Sequence, residues 1–213
     1  PGRKHLFLWA RLPKADLTMN ALAPAASILD SVGVAPERAR EILGEALAGA
    51  DDGELFVERS ESEAFLFDDG RLKSASYDSS EGFGLRVVAG ETAGYSHSSE
   101  VSEAAIKRAG QSSALAKRGY SGVSAEGPRA TNTKLYGEDD PTASPAFSDK
   151  VALLQEIDAW VRARDPRVVQ VMATLAGERR VVEVLRADGR LIRDGRPLSR
   201  EWGQARDPAR ACA

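Results

Sequence analysis

The chain holds two histidines, His5 and His97, ninety-two positions apart in unlike surroundings. A hydrolytic zinc site wants two or three ligands on one rigid element, as in His-Glu-x-x-His on a helix. No such spacing occurs, and His97, which precedes an expected helix, reads as a surface or capping side chain. Carboxylates cluster at Glu58, Glu61 and Glu63, at Asp68 and Asp69, and at Glu138, Asp139 and Asp140. They have the hardness for a divalent cation, yet Glu61 and Glu63 alternate as a solvated strand face would, and Asp68-Asp69-Gly70 is turn chemistry. Serines are plentiful at 74, 76, 79, 80, 96, 98 and 99. A nucleophilic serine needs a base and an oxyanion hole; Ser96 and Ser98 flank His97, but neighbours in a strand point to opposite sides. Gly82-Phe83-Gly84, with Gly90 and Gly94, lies within and between strands with no helix N-terminus behind it, so close backbone approach explains these glycines better than a phosphate loop. No catalytic residue and no metal ligand is assigned.

Whatever these residues do must be positioned by an α+β domain. The chain has 213 residues, 42% hydrophobic and 29% charged, enough for one domain with a real core. Its net charge is −3 and no basic stripe is present, which argues against direct nucleic-acid binding. Cys212 has no second cysteine to bridge, so a reducing compartment suits the chain. No apolar run reaches membrane-spanning length, and Leu6–Ala10, cut short by Arg11, is too brief for a signal peptide.

Pro36 opens a helix whose apolar face is Ala39, Ile42, Leu43, Ala46 and Leu47. Leu55 to Phe67 reads as extended chain, and Asp69-Gly70 as a type I′ turn leading into a return strand, Leu72 to Tyr77. Gly82 to Ala89 reads as a further strand, turning at Gly90-Glu91 into Thr92–Ser96. Ser99 is placed to cap a helix running to about Lys117, with Val101, Ala105, Ala109 and Ala116 facing inward. A loop over 119–146 follows, then a helix capped by Ser148 that carries Val151, Leu154, Ile157 and Val161 and ends at Asp165-Pro166. Val168 to Ala176 and Val181 to Leu185 read as a second hairpin about Gly177-Glu178, and Asp188-Gly189 turns into Arg190–Asp194. Two or three helices thus pack on antiparallel meanders. After Asp194 strand period is lost, which would leave an unpaired apolar edge near Val168–Val184 and a chain prone to aggregation.

The segments GELFVER (53–59), FDDGRLK (67–73), EGFGLR (81–86) and GETAGY (90–95) closely resemble the N-terminal region of the TldD/PmbA family, also known as modulators of DNA gyrase. The likeness continues in ATN (130–132), in LY (135–136), in DPRVVQV (165–171) and in RADGRL (186–191), and covers roughly 34–194. The resemblance implies a cytoplasmic TldD-type zinc metalloprotease of peptides or unfolded polypeptides that assembles as a heterodimer with a PmbA-like subunit. It also implies that the metal motif, His-Glu-x-x-x-His with a further downstream ligand, belongs to the family's C-terminal half. No position here matches that motif, so the chain reads as an N-terminal fragment, inactive by itself and without a cofactor of its own. The alternative is a non-enzymatic module that docks on a PmbA-like subunit. Residues 1–18 read as a leader foreign to the pattern, with a start at Met19 or a processed Met before Pro1 both open, and 19–194 as the domain. DGRPL (194–198) keeps the family register; the 195–213 tail then diverges and reads as a frameshifted or disordered end. Gly82, Gly84, Arg86 and Tyr95 are picked as a substrate- or partner-facing patch.

Overall fold

Asp69 and Gly70 both sit at positive φ, 50° and 74°, the combination that a two-residue hairpin turn demands. That turn joins β1 (Asp52–Asp68) to β2 (Arg71–Ala89) as long antiparallel partners. A computed structural model of the chain describes residues 27–117 and 140–206, and within them these two strands form the middle of one five-stranded sheet. A second tight turn, with Gly90 at φ 59°, adds β3 (Thr92–Ser98) outside β2. On the other side of β1 lies β4 (Gln170–Arg186), then β5 (Leu191–Arg206), so the order is β3-β2-β1-β4-β5 and every pair is antiparallel.

Among the described residues, helices cover one face only. α1 (Ile28–Ser31), α2 (Pro36–Leu47), and α3 (Glu103–Ser113) with its 3-10 extension to Lys117 occupy one end of the sheet, and α4 (Phe147–Arg164) occupies the other. The register explains why. Leu55 stands between Leu85 and Leu185, and Val57 beside Phe83, while ten residues on Phe65 stands beside Leu175. The odd residues of β1 share one face; that face is apolar at both ends of the strand and charged at Arg59, Glu61 and Glu63 between them. The first end builds the larger cluster, with Ile42, Leu43, Ile106 and Ala109 against Leu55, Leu85 and Val87. The second is small: Phe65, Phe67, Leu154 and Ala173, flanked by Leu72, Ile157 and Leu175.

Several expectations need correction. β2 is one strand, not two, and β4 runs straight through Gly177-Glu178 instead of turning there. Gly177 is not at positive φ; it lies opposite Glu63, whose carboxylate a Cβ there would meet at 3.4 Å, an ordinary contact. The chain does not lose strand character after Asp194: β5 pairs with β4 along its whole length, from Leu191 opposite Leu185 to Arg206 opposite Gln170. β5 lacks an apolar alternation because most of its side chains are exposed or only half covered, so pairing rests on the backbone groups β4 offers. The apolar edge expected at 168–184 is therefore covered. Ser102, not Ser99, caps α3, its hydroxyl accepting from the Ala105 N–H at 3.2 Å. α4 starts at Phe147 with Ala146 as its unassisted N-cap, and it buries Lys150, Leu154 and Asp158 while Val151 and Val161 are half-covered. Residues 1–18, most of the 119–146 loop, Glu138, Asp139, the ATN and LY segments and the last seven residues lie outside the described part.

Candidate functional site

Gly82, Gly84 and Arg86 follow one another at alternate positions of β2, and Tyr95 stands opposite Arg86 on β3. Alternation puts all four on the sheet face that none of the described helices covers. Glycine at 84 is what lets them cluster: a Cβ there would overlap the Tyr95 phenol, so the ring lies down over the bare backbone and Gly84 is buried under it. His97 stacks beside Tyr95 at a centroid distance of 5.8 Å and 25° between the ring planes. Arg86 Nε lies 3.3 Å from Glu54 Oε1 without the alignment of a hydrogen bond, and its Nη2 is 3.9 Å from Asp52 Oδ2. Gly82 is less of the patch than of its frame, since a Cβ would come within 3.0 Å of the Ser98 carbonyl oxygen.

Chemically the patch is equipped for contact. It offers an exposed phenol, an imidazole and a guanidinium already facing two carboxylates, which suits stacking and hydrogen bonding. His97 lies in β3, not at a helix cap. Ser96 and Ser98 point to the helix-covered side, away from His97, so no serine–base pair forms there. The same open face carries Ile192, Leu198 and Trp202 of β5, all of them 40% exposed or more. Among the described residues no three His, Cys, Asp or Glu side chains converge as metal ligands.

The sequence reading missed a charged seam on the opposite face. Glu63, expected on a solvated face, is 10% exposed and receives Lys150 Nζ at 2.5 Å; Lys150 itself is 3% exposed and also donates to the Thr142 carbonyl. Beside them Arg179 donates to Asp140 Oδ2 at 3.0 Å and approaches Glu61 at 3.9 Å, and the Tyr77 hydroxyl donates to Glu61. Asp140 also accepts from the Thr142 hydroxyl and from the backbone N–H groups of Thr142 and Ala143. Burial pushes the Asp140 carboxyl up, but these bonds and Arg179 outweigh it and hold its pKa below the ordinary value. Burial, then the nearby Glu61 charge, pushes the Tyr77 phenol up. A second buried carboxylate, Glu183, accepts from Ser27 Oγ and from the Ile28 N–H at 2.9 Å each, tying the first turn of α1 to β4. Glu183 had a signal: it is the one charge in the run Val181-Val182-Glu183-Val184-Leu185. Lys150 had none, because one basic residue on a helix resembles any solvated one.

Two family models match this architecture. PmbA/TldA metallopeptidase domain 1 spans 53–116, the hairpin, β3 and α3, and the PmbA/TldA metallopeptidase central domain spans 140–202, from α4 into β5. Together they take in more than half of the chain. The chain belongs to the PmbA/TldD metallopeptidase family. The central-domain match continues to Trp202, past Leu198 where the family pattern was expected to break. Metalloprotease TldD homologues from Haemophilus influenzae and from Buchnera aphidicola of the host Acyrthosiphon pisum are 31% and 28% identical to it, over 70% and 69% of this chain. The matches take up 32% and 31% of those proteins, so the chain spans about a third of the length of the curated relatives it matches. Among solved structures, TldE from Thermococcus kodakarensis superposes with a TM-score of 0.55 over 82% of this chain and 40% of the other, at 18% identity. A modulator of DNA gyrase from Thermotoga maritima gives 0.54, over 85% and 44%, at 12% identity. At such identities the structures attest the fold alone.

Proposed function

We propose that this chain supplies the first and central domains of a TldD-type zinc metalloprotease that cleaves peptides or unfolded polypeptides in the cytoplasm together with a PmbA-like subunit. In that reading the zinc ligands come from sequence beyond these two domains, and the metal would activate water for peptide hydrolysis. The chain's own residues build a scaffold and present the open sheet face to the partner. The observation that carries the reading is the ordered match of both domain models on a single sheet, with the TldD homologues matched over the same stretch. Tyr95, Ile192, Leu198 and Trp202, exposed on that face at its two margins, support its docking role.

Two measurements test this. The purified 213-residue chain should hold no stoichiometric zinc and show no chelator-sensitive peptidase activity; stoichiometric zinc with chelator-sensitive cleavage would overturn the assignment. The chain should also copurify with a PmbA-like subunit, and Tyr95→Ala with Trp202→Ala should weaken that recovery; recovery indifferent to both changes would remove the open face as the docking surface.

A further inference from the structure

Glu183 is 1% exposed and sits among apolar neighbours. On the helix-covered face the register sets Val57 of β1 on one side of it and Arg193 of β5 on the other, with Val181 and Leu185 before and after it on β4. Residues 27–32 lie over this spot and use both carboxylate oxygens. Oε1 accepts from the Ile28 N–H at 2.9 Å, and Oε2 from the Ser27 hydroxyl at 2.9 Å and the Leu29 N–H at 3.4 Å. Ile28 and Leu29 are themselves buried there.

This segment is held as a separate piece. α1 is a single turn of four residues, too short to be stable by itself, and its N-cap residue makes no side-chain cap bond. The Glu183 carboxylate, reaching up from the sheet, serves its first N–H groups instead. The other polar tie to the sheet among the described residues is Arg59, whose Nη2 donates to Ser31 Oγ at 2.8 Å. Gly33 follows at φ 76° with open space around it, and Pro36 starts α2 three residues later. The backbone can therefore pivot at Gly33 while α2 stays in place.

Lifting the segment away would ordinarily leave a buried carboxylate without a partner, a costly state. Here a second partner stands beside it. Arg193 Nε is 3.9 Å from Glu183 Oε1, beyond hydrogen-bond range, and the Arg193 side chain is about a third exposed. We propose that residues 27–32 form a strap that opens about Gly33, with Glu183 as its catch and Arg193 as the group that takes over the carboxylate when the strap leaves. Burial of Ile28 and Leu29 keeps the closed state dominant. Opening uncovers a trough floored by Val57, Val181 and Leu185, and the exchange of one partner for another makes the two arrangements discrete states.

Hydrogen exchange of the full 213-residue chain, read residue by residue at neutral pH, is the test. The Ile28 and Leu29 amides should exchange well before those of Ile42 and Leu43 in α2. Arg193→Gln takes away the partner of the open state, so it should slow strap exchange about tenfold. Glu183→Gln weakens the catch and should quicken it, and in that background Arg193→Gln should have no further effect. If the Glu183 variant fails to fold, Arg193→Gln alone decides, because a residue that merely supported the closed strap would give the opposite sign. Strap amides that exchange only in step with α2 would overturn the proposal. So would an Arg193→Gln change that leaves them as they were, quickens them, or slows them equally without the carboxylate.

Discussion

The same long strands are anchored in two different ways at their two ends. Where α1, α2 and α3 lie, β1 and β2 present Leu55, Val57, Leu85 and Val87, and the contact is apolar throughout, with Leu55, Leu85 and Ile106 fully buried. Where α4 lies, four buried apolar residues share the work with Lys150, Glu63, Asp158, Arg179 and Asp140. Apolar burial is non-directional and tolerates exchange of one aliphatic side chain for another. A buried ion pair does not, since losing either partner strands a charge in the interior. The first end is specified by volume, and the second by a few partners.

That contrast can be broken most forcefully at Lys150. Lys150→Ala should cost about 3–5 kcal/mol in urea unfolding, because Glu63 would keep a charge with no partner in a nearly closed site. Lys150→Met with Glu63→Leu should recover most of it. A double variant no better than the single would mean that the Thr142 carbonyl, not Glu63, is what Lys150 serves. At the apolar end Leu85→Ala should cost about 2–5 kcal/mol, since Leu85 lies under Gly110 of α3 and is fully buried. Leu85→Ile should be nearly neutral there, whereas even Lys150→Arg should destabilise the α4 end.

The contrast also decides what could be read from the sequence. The α2 face and the Asp69-Gly70 and Gly90-Glu91 turns were legible, because period and turn chemistry are local. So were the family and the α+β class. The single long β2 and β4 were not. A polar run such as Asp78-Ser79-Ser80 normally ends a strand, but here it sits in the charged middle of a sheet whose apolar ends are ten residues apart. The α4 seam was hidden for a related reason: Lys150 pairs with Glu63 across 87 positions of sequence, and nothing near either residue marks the pairing. Of the four patch residues, Gly84 was recognisable as an unusual type in a strand, but only the cross-strand contact shows that it seats Tyr95.

Glycines give a smaller test of the same distinction. Gly94 backs onto the Ser113 carbonyl, a backbone atom that cannot retreat without moving α3 from the sheet. Gly94→Ala should therefore cost about 1–3 kcal/mol by overpacking. Gly84 backs onto the tip of the Tyr95 ring, which can swing into solvent, so Gly84→Ala should cost less than about 1 kcal/mol. Combining it with Tyr95→Ala should add nothing beyond the Tyr95 change itself. Equal losses at the two glycines would show that the Tyr95 seat is as rigid as the helix contact, and the open face would then be a preformed surface.

The smallest effect expected is acid sensitivity confined to the α4 end. The pKa of Asp140 is lowered in the folded chain, so its contribution is fully present above the unfolded carboxylate value, about 4, and is lost as pH falls through the folded value. Protonation there would release Arg179 and the turn at Thr142 and Ala143 without touching the apolar cluster around Leu85. Hydrogen exchange followed from about pH 5 to about pH 3, the span around that carboxylate value, should show protection falling first in α4 and the adjoining part of β4, with Val87 and Ile106 protected longer. Asp140→Asn should remove that acid step and lower protection at α4 already at neutral pH. Simultaneous loss at both ends would mean that the sheet transmits the change along its full length and that the two anchorages are one cooperative unit.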